Sequence, residues 1–579
     1  MNTNSNKNQN LEIDALASLV ADFFETRIGG DEGKSLAKLT RVLTERVASG
    51  SSHLLEAEAN EVLDGWKSLP SIGNEDANLP LVYTNTGRLY FRRYYEYERL
   101  VADVLTQKCT KASVEVSKTT ETFFQNSISH VVDDQQALAV GAVLQRDLVL
   151  LSGGPGTGKT RTIVAMLAAY IHEHPNHLIA LAAPTGKAAF RMRESVLQSL
   201  KWIELPDSIR QKIIDSTKAT TLHRLLESRM GSMDFQRNKR NPLPAHLVVV
   251  DEASMIDLPL MAKLCDALRE DTKLVLIGDA AQLAPVHGGA VFNGLIESSQ
   301  SNEFREEDLS KMRVFSDSAK LSQPTSRLTS SVIHLSKVHR RKDTSSSGKI
   351  DELCNAIKEG RAQDAVAIIH SGVESITWIR DLTDPLLDSL ICDEFSELSD
   401  AHDPSLALSK LGKFRILCAN NEGDYGVSHW NAKTVGLLPN SDASIRPVVV
   451  HVNDYSIGLY NGDDGVVFGP KVYFPSEEGV REIAKSRMPQ HKMGYASTIH
   501  RSQGSEFDKV AVVLPPEDSK LLSRELLYVA ISRAKEKVFL VGSEDSLIAA
   551  VNRNETQNSG VLDLMNHSIE LRYAKLKES

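Results

Sequence analysis

A chain of 579 residues is too long for one compact core, and its 41% hydrophobic and 25% charged residues set aside fibres, coiled coils and disordered chains. The formal net charge of -10 excludes a protein that coats nucleic acid through bulk positive charge, while leaving room for a local groove. Cys109, Cys265, Cys354, Cys392 and Cys418 form no CxxC pair and no Cys/His cluster, which argues against a zinc ribbon, an iron–sulfur cluster or a disulfide framework and fits a reducing cytosol.

The N-terminus, MNTNSNKNQN, lacks the apolar core of a signal peptide, and no apolar run reaches the length of a membrane span. A soluble, cytoplasmic chain with no membrane partner is expected. LEIDALASLVADFF and a stretch from Leu54 to Trp66 carry apolar residues at helical spacing. PLVYTNTGRLYFRRYYEYERLVADVL then predicts two short strands, a turn at Thr84 to Gly87, and a helix.

Further on, short β-branched runs alternate with helices, the signature of a parallel sheet. DLVLLSGG, HLIALAAPTG, HLVVVDEAS and KLVLIGDAAQL are four such strands, each ending in a polar or glycine-rich turn. Ligands of open α/β sheets sit at the carboxyl ends of strands, where all four turns fall. Residues 315–349, rich in Ser and Thr, predict a linker or surface loop. A second α/β region runs from Phe414 to Ser543. Inside it RPVVVHVNDYSIGLYNGDDGVVFGPKVYFP predicts a small all-β insertion with turns at Asn461-Gly462 and Asp464-Gly465. Two similar α/β halves are implied, yet no internal sequence repeat is evident.

Gly153-Gly154-Pro155-Gly156-Thr157-Gly158-Lys159-Thr160 follows an apolar strand and opens an apolar helix, the context a phosphate loop needs. Its backbone amides would cradle phosphates, Lys159 would neutralise them, and Thr160 would offer its hydroxyl to Mg2+. These residues predict ATP and Mg2+ as cofactors. After a second strand, Asp251 would hold the metal and Glu252 would take a proton from the attacking water. After a third, Gln282 is placed to report on the γ phosphate.

The motif series APTGKAA, TTLHRLL, VVVDEAS, GDAAQL, KVHRR, YASTIHRSQGSEFD and LLYVAISRAKEKV resembles that of superfamily 1 helicases over most of the chain. The resemblance implies two RecA-like parallel-sheet motor domains. It also implies an adenine-reading role for Gln136, with Gln135 as the competing register, and γ-phosphate arginines at Arg340 and Arg533. Gln503 and Gly504 take the second lobe's phosphate contact. Strand binding would fall to Pro184, Thr185, Lys187, Thr221, His223, Thr498 and His500. Lys187 and Arg191, one helical turn apart, fit a solvated face equally well.

SGGPGTGKT, FRILCANNEGDYGVSHWN, NDYSIGLYNGD and HRSQGSEFDKVAVVLP bring the chain closer to the 5′ to 3′ branch, superfamily 1B, and within it to the alpha-subunit family of bacterial exodeoxyribonuclease V. This resemblance implies a mostly helical partner-binding domain over residues 1–125 and a first motor domain over 126–330. The second motor domain would span 331–579, with an SH3-like β insertion at 446–490. It implies a heterotrimer with a beta subunit carrying nuclease and a second helicase, and a gamma subunit. Such a complex acts on single-stranded and duplex DNA ends during recombinational repair of breaks. His339 stands where the family usually has an aromatic residue before the arginine, followed here by Arg340 and Arg341. A free-standing superfamily 1B helicase for DNA or RNA, and an ATP-gated regulatory clamp on DNA, are the alternatives.

Overall fold

The computed structural model describes residues 4–217, 220–229, 232, 234–285, 288–297, 302–322, 328–339, 348–438, 445–454, 456–476, 479–554 and 559–566. The chain forms two compact units: one holds 10–280, 284–340 and 556–579, the other 1–9, 281–283 and 341–555.

Helices Asn4–Ile28 and Gly30–Ala48 open the chain. A small sheet follows, made of β1 (Leu54–Leu55), β2 (Ile72–Gly73), β3 (Leu81–Tyr83) and β4 (Arg88–Phe91), in the order β1-β4-β3-β2. The expected hairpin is there: β3 and β4 run antiparallel with Tyr83 opposite Leu89, and Gly87, at φ 76°, closes the turn. Leu36, Leu39, Leu43 and Trp66 fill the core between helix and sheet. The Trp66 indole N–H donates to Asn60 at 2.8 Å, so a large apolar ring is buried with its one polar atom satisfied. Helix Arg92–Thr110 then leaves this layer, and its Val101, Ala102 and Leu105 join the core of the larger sheet beyond.

That sheet contains β5 (Leu148–Gly153), β6 (Ile179–Ala183), β7 (Thr220–Thr221), β8 (Leu247–Val250) and β9 (Lys273–Gly278). A short separate pair, β10 (Glu303–Phe304) and β11 (Lys320–Leu321), precedes its last member, β12 (Val332–Leu335). The order is β12-β5-β9-β8-β6-β7, all parallel. Period-2 geometry explains the continuous apolar runs: Val149 and Leu151 enter one core, Leu148 and Leu150 the opposite one, because helices cover both faces. The stretch expected as linker thus contains a strand. Four residues, Val-Ile-His-Leu, pair with β5 from Leu150 to Gly153, too short a run to stand out among serines.

The second unit has β13 (Ile376–Ile379) and β14 (Phe414–Cys418), then an insertion of β15 (Ile445–Val450), β16 (Asp464–Phe468), β17 (Lys471–Ser476), β18 (Gly479–Ala484) and β19 (His491–Met493). It closes with β20 (Ala496–Thr498), β21 (Phe507–Val513) and β22 (Ala534–Val541). The main sheet, β13-β22-β21-β14-β20, is parallel; the insertion, β18-β17-β16-β15-β19, is antiparallel throughout. An α/β fold with two parallel sheets and an all-β insertion is therefore what the chain adopts.

One expected turn is corrected. Asn461-Gly462 does turn, with Gly462 at φ 93°, but Asp464-Gly465 opens β16 instead. Gly465 is there for packing: a Cβ would meet the Phe474 ring at 2.5 Å. Among the described residues no helix is long and apolar enough to cross a membrane.

Candidate nucleotide pocket and strand-binding edges

The phosphate loop joins β5 to helix Lys159–Glu173, and its curl depends on Gly156 and Gly158 at φ 79° and 82°. A Cβ on Gly158 would also strike the Gln136 amide at 2.4 Å, so this glycine is needed twice over. The Lys159 ammonium folds back onto the loop, donating to the carbonyls of Gly153 at 2.7 Å and Gly154 at 3.3 Å. Those bonds hold the charge at the loop's mouth, where a phosphate would compete for it. Thr160 sits in the first turn of the same helix.

Gln136 is buried in the helix Asp134–Gln145. Asp133 caps that helix by accepting from the Gln136 amide at 2.9 Å, and the Gln136 side chain returns the bond. Its Nε2 donates to the Thr157 carbonyl at 3.2 Å, which ties this helix to the loop. Gln135 instead exchanges bonds with Ser336 just past β12. Of the two registers, Gln136 is the one against the loop. His339 completes this corner: its Nε2 lies 2.6 Å from Asp133, and its backbone N–H donates to the Gly156 carbonyl at 2.8 Å. In the sequence it stands out only as a departure from the family's aromatic residue.

Asp251 and Glu252 follow β8, on the same carboxyl edge as the loop, with β9 between the two strands. Burial, then the neighbouring Glu252 carboxylate, pushes the Asp251 carboxyl above its usual range, and Lys159 opposes the rise. Glu252 adopts φ 52°, a left-handed conformation that costs a non-glycine residue about 1–3 kcal/mol. Its Oε2 and the Ser254 hydroxyl are buried without a hydrogen-bond partner in the protein. Strain and unmet polar atoms at one point fit a pocket completed by a ligand. Among the described residues no group of three or more His, Cys, Asp or Glu makes a metal cage. A Mg2+ held by one hydroxyl, one carboxylate, waters and phosphates needs no such cage.

Other residues singled out in the sequence lie in the second unit. Gln282 is buried, and the neighbouring Leu283 carbonyl accepts from Gln503 Nε2 at 3.4 Å. Gly504 follows at φ 69°. Arg533, at the end of helix Arg524–Ser532, is buried, and it donates to Val529 at 3.1 Å and to Ser505 at 3.3 Å. It braces the segment after Gln503 in this state. Arg340 lies outside the described residues.

The candidate strand-binding residues fall on sheet edges. Thr185, after β6, caps helix Gly186–Ser199; Pro184 precedes it and the half-buried Lys187 follows, with Arg191 one turn on. Because β7 pairs with β6, Thr221 and the exposed His223 are brought to the same edge. Thr498 ends β20, the edge strand of the second sheet, and His500 stands in the turn after it, its pKa lowered by burial.

Residues 136–288 match the family described as an AAA domain, and 493–541 the UvrD-like helicase C-terminal domain. The RecBCD enzyme subunit RecD of Mycobacterium tuberculosis (strain CDC 1551 / Oshkosh) is 35% identical over 509 residues, which cover 84% of this chain and 81% of that one. Its namesake in Haemophilus influenzae is 29% identical over 524 residues, covering 83% and 80%. The ATP-dependent RecD2 DNA helicase of Deinococcus radiodurans is 26% identical over 497 residues, covering 83% of this chain and 59% of that protein. With a glycine-rich loop ahead of a helix, a strained carboxylate after β8 and a helicase C-terminal segment in place, the chain belongs to the RecD family of helicases.

Proposed function

We propose that this ATP-dependent DNA helicase moves 5′ to 3′ along single-stranded DNA as the alpha subunit of a cytoplasmic helicase–nuclease complex that processes double-strand breaks. The observation that carries the motor reading is the meeting of Lys159, Asp251 and Glu252 at one carboxyl edge, with Glu252 strained and incompletely bonded.

Thr160 and Asp251 would hold Mg2+, which when bound neutralises phosphate charge. Lys159 grips the β and γ phosphates, and Glu252 accepts the proton of the attacking water. Gln136 abandons its capping bond to read adenine. Gln282, Gln503 and Gly504 sense the γ phosphate, and Arg340 and Arg533 stabilise the transition-state charge, Arg533 after leaving its present partners. Pro184, Thr185, Lys187, Thr221, His223, Thr498 and His500 contact the strand through small hydroxyls, backbone and rings.

Residues 1–125 serve as the partner-binding domain, 126–330 and 331–579 as the motor domains, and the antiparallel β15–β19 sheet as the SH3-like insertion. Beta and gamma subunits supply the nuclease and the duplex-splitting surface.

ATP hydrolysis by the purified chain, with and without single-stranded DNA, tests the reading. Strong stimulation supports a strand-coupled motor. Hydrolysis indifferent to DNA, both alone and in the co-purified complex, would leave the regulatory clamp as the better account.

A further inference from the structure

The two parallel sheets end in one local device. Thr221-Leu222-His223-Arg224 follows edge strand β7, and Thr498-Ile499-His500-Arg501 follows edge strand β20. Each threonine caps a four-residue helix, Leu222–Leu225 or Ile499–Ser502. Each accepts from the amide of the arginine three residues on, at 3.3 Å in both cases.

The arginines then part company. Arg224 is exposed. Arg501 is half-buried, and its guanidinium faces the His451 ring at the end of β15, 2.8 Å from Nε2 and 3.1 Å from Nδ1. An arginine only donates, so His451 must present its lone-pair nitrogen and stay neutral. Burial and the nearby Arg501 and Lys492 hold it so, lowering its pKa to about 4. A second tie lies alongside: Asp464 on β16 meets Arg415 on β14 at 3.2 Å and also acts electrostatically on Arg501. Arg415 is buried, donates to the Gly494 carbonyl, and lies over the Phe507 ring. The insertion exits through Gly494 and Tyr495 directly into β20, whose start is held by Asn431, accepting from the Ala496 amide at 3.0 Å. Gln503 stands two residues beyond Arg501.

We propose that Arg501 is a positioning residue that ties the β15–β19 insertion, through His451, to the strand-binding turn at Thr498, so that the insertion and Gln503 shift together when a strand is bound. The inference rests on the chain being a strand-coupled ATPase.

The test measures hydrolysis by the full chain over a titration of oligothymidylate. His451→Leu is expected to keep its DNA-independent rate and to keep half-saturation by DNA within about threefold, while the maximal stimulated rate falls about tenfold. His451→Gln, which still offers an acceptor, restores most of that rate. Joining Arg501→Met to His451→Leu should add no further loss, since both remove one interaction. A stimulated rate unchanged in His451→Leu overturns the proposal. So does a loss seen only as weaker DNA binding, which would make this turn a plain strand contact. No stimulation in the unaltered chain would instead remove the strand-coupled reading on which the proposal stands.

Discussion

Thr221–Arg224 and Thr498–Arg501 share sequence, cap and position at a sheet edge, yet one arginine faces solvent and the other is held by a neighbouring sheet. The difference comes from an insertion that enters after β14 and returns immediately before β20. Local sequence makes the turn; what packs on it decides how far its arginine is withdrawn from solvent. The candidate nucleotide residues are divided unevenly as well. The glycine-rich loop and both carboxylates follow strands of the first sheet, while Gln282, Gln503 and Arg533, which lie in the second unit, are engaged with protein atoms or buried.

The strongest way to break this comparison is at the first edge. Lys159→Gln should cut ATP hydrolysis by about a hundredfold or more, because phosphate charge would lose its main neutralising group. Glu252→Gln should do likewise while nucleotide binding, read by fluorescence of a labelled analogue, persists. Equal losses from Gln503→Ala would mean that the chemistry is shared more evenly than the geometry implies.

Arg415→Ala tests the second unit. It strips a buried cation from Asp464, whose side chain keeps only 21% exposure, and should destabilise the chain by about 3 kcal/mol in urea unfolding. An effect below about 1 kcal/mol would show the insertion to be held by apolar packing alone.

The two caps come next. Thr221→Ala and Thr498→Ala should each cost about 1 kcal/mol, with Thr498 the more costly because it is buried. A reversed order would argue that the first turn is the better anchored.

The smallest effect is a pH dependence confined to the second turn. His451 has a folded-state pKa of about 4, below its ordinary 6.5, so the unfolded chain binds the proton more readily. Its contribution is complete above 6.5 and is lost as pH falls from there toward 4. Melting temperature should therefore drop more between pH 7.5 and 5 in the unaltered chain than in His451→Gln. Parallel curves would sink the neutral-acceptor account.

Motifs were legible where chemistry demands fixed spacing. The phosphate loop, the Asp251-Glu252 pair and the early hairpin could be read because glycine, turn and strand signals coincide within a few residues. β12 was hidden because four apolar-leaning residues among serines give too little periodicity. Asp464-Gly465 reads as a turn but answers to other partners: Gly465 to Phe474, 9 positions away, and Asp464 to Arg415, 49 positions away. The Thr-Leu-His-Arg and Thr-Ile-His-Arg match was present in the sequence, but four residues signal a repeat only once both are seen to follow edge strands.

By itself, the sequence determined the two α/β halves, the loop that would cradle phosphates and the residue types at every strand end, since these depend on local propensity and on spacing along one chain. Only the tertiary structure decided which of two like arginines is withdrawn from solvent, which glutamine lies against the loop, and where a carboxylate is left strained and unmet. Those outcomes depend on contacts between residues far apart in sequence, and burial there changes what the same side chain can do.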